Sequence, residues 1–269
     1  MHNDFSKMIG KASAERGSRI VLALDVSTKV RSEEDARELC RRAKMILNDV
    51  ESFVAGLKIN YQLLLPFGLH GYLQEILDSA RNYGLPTIID CKINDVEHTN
   101  RWAASHFFDA GFDALTANPF AGWKGGLEGL FDEARKRGKG VILLVYMSHE
   151  GAEENYGRKI ILDDGSVKTY YKFFAEKAVE WRADGVIVGA TRTNVVKEVR
   201  ETVLDKLLIF SPGVAAQGGD IGEVFRAGAD YAIVGRAVYE ARRPGEAAKR
   251  FMEEANRALR ERFGEVRYH

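Results

Sequence analysis

The chain has little cysteine, with only Cys40 and Cys91 in 269 residues. Two thiols cannot build a disulfide framework, and neither sits at metal-ligand spacing, so the composition suits a reducing compartment and the expected location is cytoplasmic. Charge of one sign is also lacking, because 39 Lys plus Arg balance 39 Asp plus Glu. No global basic field advertises nucleic acid, and any anion site must be local. No apolar run approaches membrane-spanning length, and Met1 to Gly17 is charged throughout, without the apolar centre of a signal peptide. Neither a membrane nor a nucleic acid is an expected partner.

What is present is a repeating alternation. Apolar runs of the kind that form parallel strands buried on both faces occur at Arg19 to Asp25, Ser52 to Ile59, Thr87 to Lys92 and Ala114 to Ala117. They recur at Gly140 to Tyr146, Gly185 to Val188, Leu207 to Ser211 and Tyr231 to Val234. Helical patterns fall between them. The first follows the cap and acidic turn Ser32-Glu33-Glu34-Asp35 and runs to about Leu47. The others are Gly68 to Tyr83, Thr99 to Ala110, Gly125 to Arg137, Tyr170 to Arg182, Asn194 to Leu204, Ile221 to Ala227 and Gly245 to Arg262. Eight such units, in a chain near the roughly 250 residues typical of the architecture, predict an α/β fold: a (β/α)8 TIM barrel forming a single domain over residues 1–269.

Three details refine this plan. Asp4 to Arg16 reads as an amphipathic helix covering one end of the domain. The junctions Ala110-Gly111-Phe112-Asp113, Ala183-Asp184-Gly185 and Ala227-Gly228-Ala229-Asp230 repeat almost literally, as expected where glycine caps a helix and feeds the next strand. Residues 156–168 break the rhythm, and Asp164-Gly165 signals a β-hairpin inserted after the fifth strand on the mouth side, read as an exposed decoration, with a shield over the site as the alternative.

In a barrel the C-terminal strand ends converge on one mouth. Here they supply Asp25, Lys58, Asp90 with Lys92, Asn118, Ser148 with His149, Thr191 with Arg192, Ser211 with Pro212, and Gly235 with Arg236. Strand alternation aims Asp90 and Lys92 the same way, and Asp95 lies just beyond them. A lysine held between carboxylates is a positioned proton donor, although an ion pair that merely ends a strand has the same pattern. The glycine-rich run Ser211 to Asp220 and the later Gly235-Arg236 occupy the places where barrels often bind phosphate, with Arg236 as a clamp and Gln217 as an amide donor. His149 has no second histidine at ligand spacing, and Asp90, Asp95 and Glu97 lack a histidine set, so no metal site is expected. Ser148 lacks a hydrolase elbow and reads as a hydrogen-bonding group.

From Arg19 to Gly264 the chain resembles the orotidine 5′-phosphate decarboxylase family. The resemblance is carried by Ala23-Leu24-Asp25, Leu57-Lys58-Ile59, Asp90-Cys91-Lys92-Ile93-Asn94-Asp95-Val96, Met147-Ser148-His149, Ser211-Pro212-Gly213-Val214, Gln217-Gly218-Gly219-Asp220 and Val234-Gly235-Arg236. It implies a homodimeric barrel that converts orotidine 5′-monophosphate to UMP and CO2 in de novo pyrimidine biosynthesis without metal or organic cofactor. By the same resemblance Lys92 protonates C6 of the pyrimidine, Asp90 lies against the departing carboxylate, and Lys58 holds Asp90 and bonds the ribose. Asp95 and Thr99 are expected to come from the partner subunit. Asp25 is expected on a ribose hydroxyl, Ser148 on the pyrimidine edge, and Gln217, Gly235 and Arg236 on the phosphate, with the loop Pro212 to Asp220 closing over the ligand. The chain has Val96-Glu97 where many members of that family have Ile-Pro, making that turn less rigid. The residues leave three alternatives open: a magnesium-dependent decarboxylase of sugar-acid phosphates, which shares Asp-x-Lys-x-x-Asp, a Schiff-base aldolase using Lys92, and a nucleotide-phosphate sensor.

Overall fold

The computed structural model describes residues 4–215 and 217–263. Its strands are β1 (Ile20–Ala23), β2 (Gly56–Asn60), β3 (Thr87–Ile93), β4 (Ala114–Ala117), β5 (Gly140–Tyr146), β6 (Lys159–Ile161), β7 (Val167–Thr169), β8 (Gly185–Val188), β9 (Leu208–Pro212) and β10 (Tyr231–Val234). All except β6 and β7 close into one parallel barrel in the order β1-β2-β3-β4-β5-β8-β9-β10, with β10 returning to β1. Helices connect the barrel strands, so the expected (β/α)8 TIM barrel is the observed one. Strands wrapped by helices are covered on both faces, and β5, Gly-Val-Ile-Leu-Leu-Val-Tyr, is buried along its whole length.

The helix Asp4–Arg16 plugs the N-terminal end of the barrel. Its Phe5 and Ile9 are fully buried, Phe5 lies 6.5 Å from the Phe210 ring, and it occupies the space where a side chain on Gly140 would begin. The opposite end is thereby left as the working face.

At the three repeated junctions the residue that acts alike is aspartate, not glycine. Asp113 accepts the N–H of Thr87 at the start of β3, Asp184 that of Val141 in β5, and Asp230 that of Ile209 in β9. Each carboxylate latches the start of its own strand to a neighbouring one. Gly111 and Gly228 do take the left-handed cap, with φ of 110° and 124°. At the middle junction Arg182 takes it instead, and Gly185 is small because a Cβ there would meet the Leu208 carbonyl at 2.8 Å.

Other boundaries differ for local reasons. The helix expected over 68–83 is observed as Tyr72–Asn82, and a short helix the sequence reading did not anticipate, Tyr61–Phe67, precedes it, capped by the Asn60 side chain and stopped at Gly68. Residues Glu51–Phe53 form a 3-10 turn, so β2 begins later than the apolar run suggests. The helix expected from 125 starts at Glu128, after an irregular turn over Trp123–Leu127 in which Lys124 and Gly125 leave helical geometry. The Ser32–Asp35 capping box forms as read.

The inserted hairpin is present as antiparallel β6 and β7, ending one residue past the expected boundary, with Ile161 opposite Val167 and both exposed. Its base is tied down by Tyr170 N–H to Arg158 O and by Tyr156, whose ring packs 5.6 Å from Phe120 and 6.3 Å from Phe174. Among the described residues no helix is long and apolar enough to cross a membrane.

Candidate active site

A cavity of about 460 Å³ opens at the C-terminal strand ends, within the size range of small-ligand sites. Its lining joins residues from distant parts of the chain: Asp25 after β1, Lys58 on β2, Asp90 and Lys92 on β3, Ser148 after β5, Pro212 with Gln217, and Gly235 with Arg236.

At its floor lies a charge array. Lys58 is buried, and its Nζ donates to Asp90 Oδ2 at 2.7 Å while lying 3.8 Å from Asp25 Oδ1. Asp90 Oδ1 accepts from Lys92 Nζ at 2.7 Å and from the Thr116 hydroxyl at 2.9 Å. Burial works against the Asp90 charge, but the ammonium groups of Lys58 and Lys92 outweigh it and hold this carboxyl well below the usual range. Burial likewise disfavours the Lys58 charge, and Asp90 with Asp25 reverses that, leaving its pKa raised. Asp25 goes the other way: burial is its largest influence and pushes its pKa up. Its Oδ1 is buried with no hydrogen-bond partner among the described residues. A substrate hydroxyl is the kind of donor that would satisfy it.

Lys92 reaches the cavity because β3 is irregular beside β4, and its backbone takes φ 45°. Between the two functional side chains, Cys91 points away and is buried, and burial pushes its thiol up to about 12, so it stays protonated and is no nucleophile.

The glycine-rich loop folds over the upper wall. Gly213 has φ 95°, and a Cβ there would strike Gln217 Oε1 at 2.8 Å and Ser148 Cβ at 2.9 Å, so only glycine lets the loop approach Ser148 this closely. Val214 bridges Gly219, and Ala215 N–H reaches Gly219 O at 2.8 Å, which makes the loop a compact turn. Ala216, part of the expected phosphate loop, lies outside the described residues. Arg236 is exposed at the rim and makes no ion pair with another described residue.

Asp95 and Thr99 are exposed and do not line the cavity of their own chain. Of the other mouth candidates, Asn118, His149, Thr191, Arg192 and the fully buried Ser211 also stay outside it. Asn118 caps the following turn, Thr191 donates to Ser148 O at 3.2 Å, and Arg192 lies 4.0 Å from Glu153. The lining contains Asn60, Thr116 and Tyr239, which the sequence reading missed. Asn60 carried a signal, two residues after Lys58 on the same strand face. Thr116 and Tyr239 carried none. Among the described residues no group of three or more His, Cys, Asp or Glu side chains is placed to hold a metal.

A closed (β/α)8 barrel with a polar cavity at its C-terminal strand ends defines a TIM-barrel enzyme. Residues 18–251 match the model of the family described as orotidine 5′-phosphate decarboxylase / HUMPS, and the chain belongs to that family. It is 36% identical over 246 residues to the orotidine 5′-phosphate decarboxylase of Methanosarcina acetivorans, covering 91% of this chain and 98% of that one. It is 34% identical to the protein of that name from Pyrococcus furiosus, covering 87% and 96%. Among solved structures it resembles orotidine 5′-monophosphate decarboxylase from Methanocaldococcus jannaschii complexed with the inhibitor BMP, with a TM-score of 0.73, 29% identity and coverage of 89% and 99%.

Proposed function

We propose that this protein decarboxylates orotidine 5′-monophosphate to UMP and CO2, as one barrel domain working in a homodimer, without metal or organic cofactor. The observation that carries the reading is the placement of Asp90 between the ammonium groups of Lys58 and Lys92, each at 2.7 Å, at the floor of a cavity whose rim presents Gln217 and Arg236.

The rim groups bind the phosphate, and Asp25 takes a ribose hydroxyl. Ser148 bonds the pyrimidine edge. This orientation brings C6 and its carboxylate against Asp90 and Lys92. Two carboxylates in one dry pocket repel, and the repulsion is relieved as CO2 departs. The bond from C6 to the carboxyl carbon breaks, its electron pair stays on C6, and the Lys92 ammonium stabilises that charge and then transfers its proton to C6. Lys58 stays charged throughout and keeps Asp90 ionised. Phosphate and ribose contacts remote from C6 hold the loop Pro212 to Asp220 over the ligand, so binding far from the reacting carbon assembles the site.

Asp95 and Thr99 complete the neighbouring subunit's site; their exposure outside their own cavity is what supports this. The buried free thiols of Cys40 and Cys91 suit a cytoplasmic setting. The test is to mix chelator-treated protein with orotidine 5′-monophosphate and follow the ultraviolet change as the carboxylate leaves. Conversion to UMP is expected; binding of the nucleotide without turnover would contradict the reading.

A further inference from the structure

We propose that Thr116 is a positioning residue that sets the geometry of the Asp90–Lys92 pair, an inference that rests on the decarboxylase reading above. Its origin is a mismatch between two strands. Ile89 pairs with Leu115 and Ile93 with Ala117, so Asp90, Cys91 and Lys92 on β3 all stand opposite the single residue Thr116 on β4. Surplus residues bow a strand and break its ladder, and here they bring Lys92 to φ 45°, a backbone conformation that residues with a Cβ rarely adopt.

In a regular ladder the Lys92 N–H would bond a carbonyl of β4. Here it donates to Thr116 Oγ1 at 2.9 Å. That leaves the hydroxyl's one proton for Asp90 Oδ1, 2.9 Å away, the oxygen that also accepts Lys92 Nζ at 2.7 Å. One hydroxyl therefore joins the backbone of Lys92 to the carboxylate that holds its side chain. Thr116 is itself part of the packed wall: it is 1% exposed and paired with Ile142 of β5.

The consequence separates binding from chemistry. Without the hydroxyl, the Lys92 side chain is still drawn to Asp90, but the link between its backbone N–H and that carboxylate is lost, and with it the bond that holds the left-handed turn at Lys92 itself. The phosphate, ribose and pyrimidine contacts come from other elements and are untouched. Proton delivery to C6 suffers while substrate affinity does not.

Three variants decide this: Thr116→Val, which keeps the shape, Thr116→Ala, which removes the hydroxyl without placing a methyl against Asp90, and Thr116→Ser, which keeps the hydroxyl. Steady-state kinetics on orotidine 5′-monophosphate should show kcat lowered by about 10- to 100-fold in T116V and T116A, the scale of a lost hydrogen bond to a charged group. KM should stay within about threefold, and T116S should recover most of the wild-type kcat. Wild-type kcat in T116A, or a loss in T116S as large as that in T116A, would overturn the proposal. Wild-type protein that leaves the substrate unchanged would defeat the decarboxylase reading instead. In that case crystal structures of T116A and T116S still decide the point: a regular φ at Lys92 or a parted Asp90–Lys92 pair in T116A alone supports the role, and an unaltered pair in T116A overturns it.

Discussion

Asn100 grips the backbone of Asp95 at both ends: its Oδ1 accepts the Asp95 N–H at 3.0 Å and its Nδ2 donates to the Asp95 carbonyl. The same Nδ2 reaches Gly126 O at 3.0 Å, and Asn100 is wholly buried at the start of the helix Glu97–Ala110. The turn around Val96-Glu97 is therefore fastened by a side-chain amide. The Glu97–Arg101 ion pair rests on Gly129 and braces it from outside.

Asp95, held this way, faces out of its own cavity. A mixture of Lys92→Ala and Asp95→Asn chains, each inactive alone, should recover about a quarter of wild-type activity after subunit exchange. Half of the dimers then carry one site built from the intact Lys92 of one chain and the intact Asp95 of the other. No recovery after verified exchange would place Asp95 in its own subunit's site.

Lys58 lies between Asp90 and Asp25, so its removal leaves two carboxylates facing each other in a buried pocket. Lys58→Met should cost about 3 kcal/mol or more in urea unfolding, and adding Asp90→Asn should restore part of that loss. Strictly additive destabilisation in the double variant would show that the ammonium does not offset the carboxylates.

The pH response follows from the directions of the shifts. Asp90 is held low, so it stays ionised as pH falls past the ordinary carboxylate value; Lys58 is raised, so it stays charged as pH rises past the ordinary lysine value. The stability contributed by the depressed Asp90 is present above its unfolded value and is lost only as pH falls through its lower folded value. Asp25, raised by burial, protonates first on acidification. Lowering the pH should therefore raise KM before it lowers kcat, which steady-state kinetics across the acid range will show. A kcat that falls first would contradict this order.

Arg236 sits at the rim and makes no ion pair with another described residue. Arg236→Ala should raise KM for orotidine 5′-monophosphate by about 10- to 100-fold, with stability changed by less than about 0.5 kcal/mol. An unchanged KM would remove Arg236 from the phosphate site.

The barrel was legible because buried parallel strands are written as uninterrupted apolar runs, and strand ends in a barrel share one mouth. That logic brought Asp25, Lys58, Asp90, Lys92, Ser148, Pro212, Gln217, Gly235 and Arg236 to one cavity. It fails where structure depends on partners remote in sequence. Thr116 sits in the run Ala-Leu-Thr-Ala, where a threonine looks like strand packing, and its importance arises from a register mismatch with β3 that neither strand shows alone. Asn100 reads as an ordinary helical residue until Gly126 is brought against it. The aspartates at the repeated junctions were overshadowed by the glycines beside them, because their partners are the starts of neighbouring strands.

The most direct measurement of the central claim is turnover of orotidine 5′-monophosphate by Lys92→Ala, with circular dichroism and UMP affinity as controls. A proton donor aimed at C6 predicts a loss of at least about 1,000-fold in kcat with fold and UMP binding kept. Activity within about tenfold of the wild type would mean that the proton reaches C6 by another route.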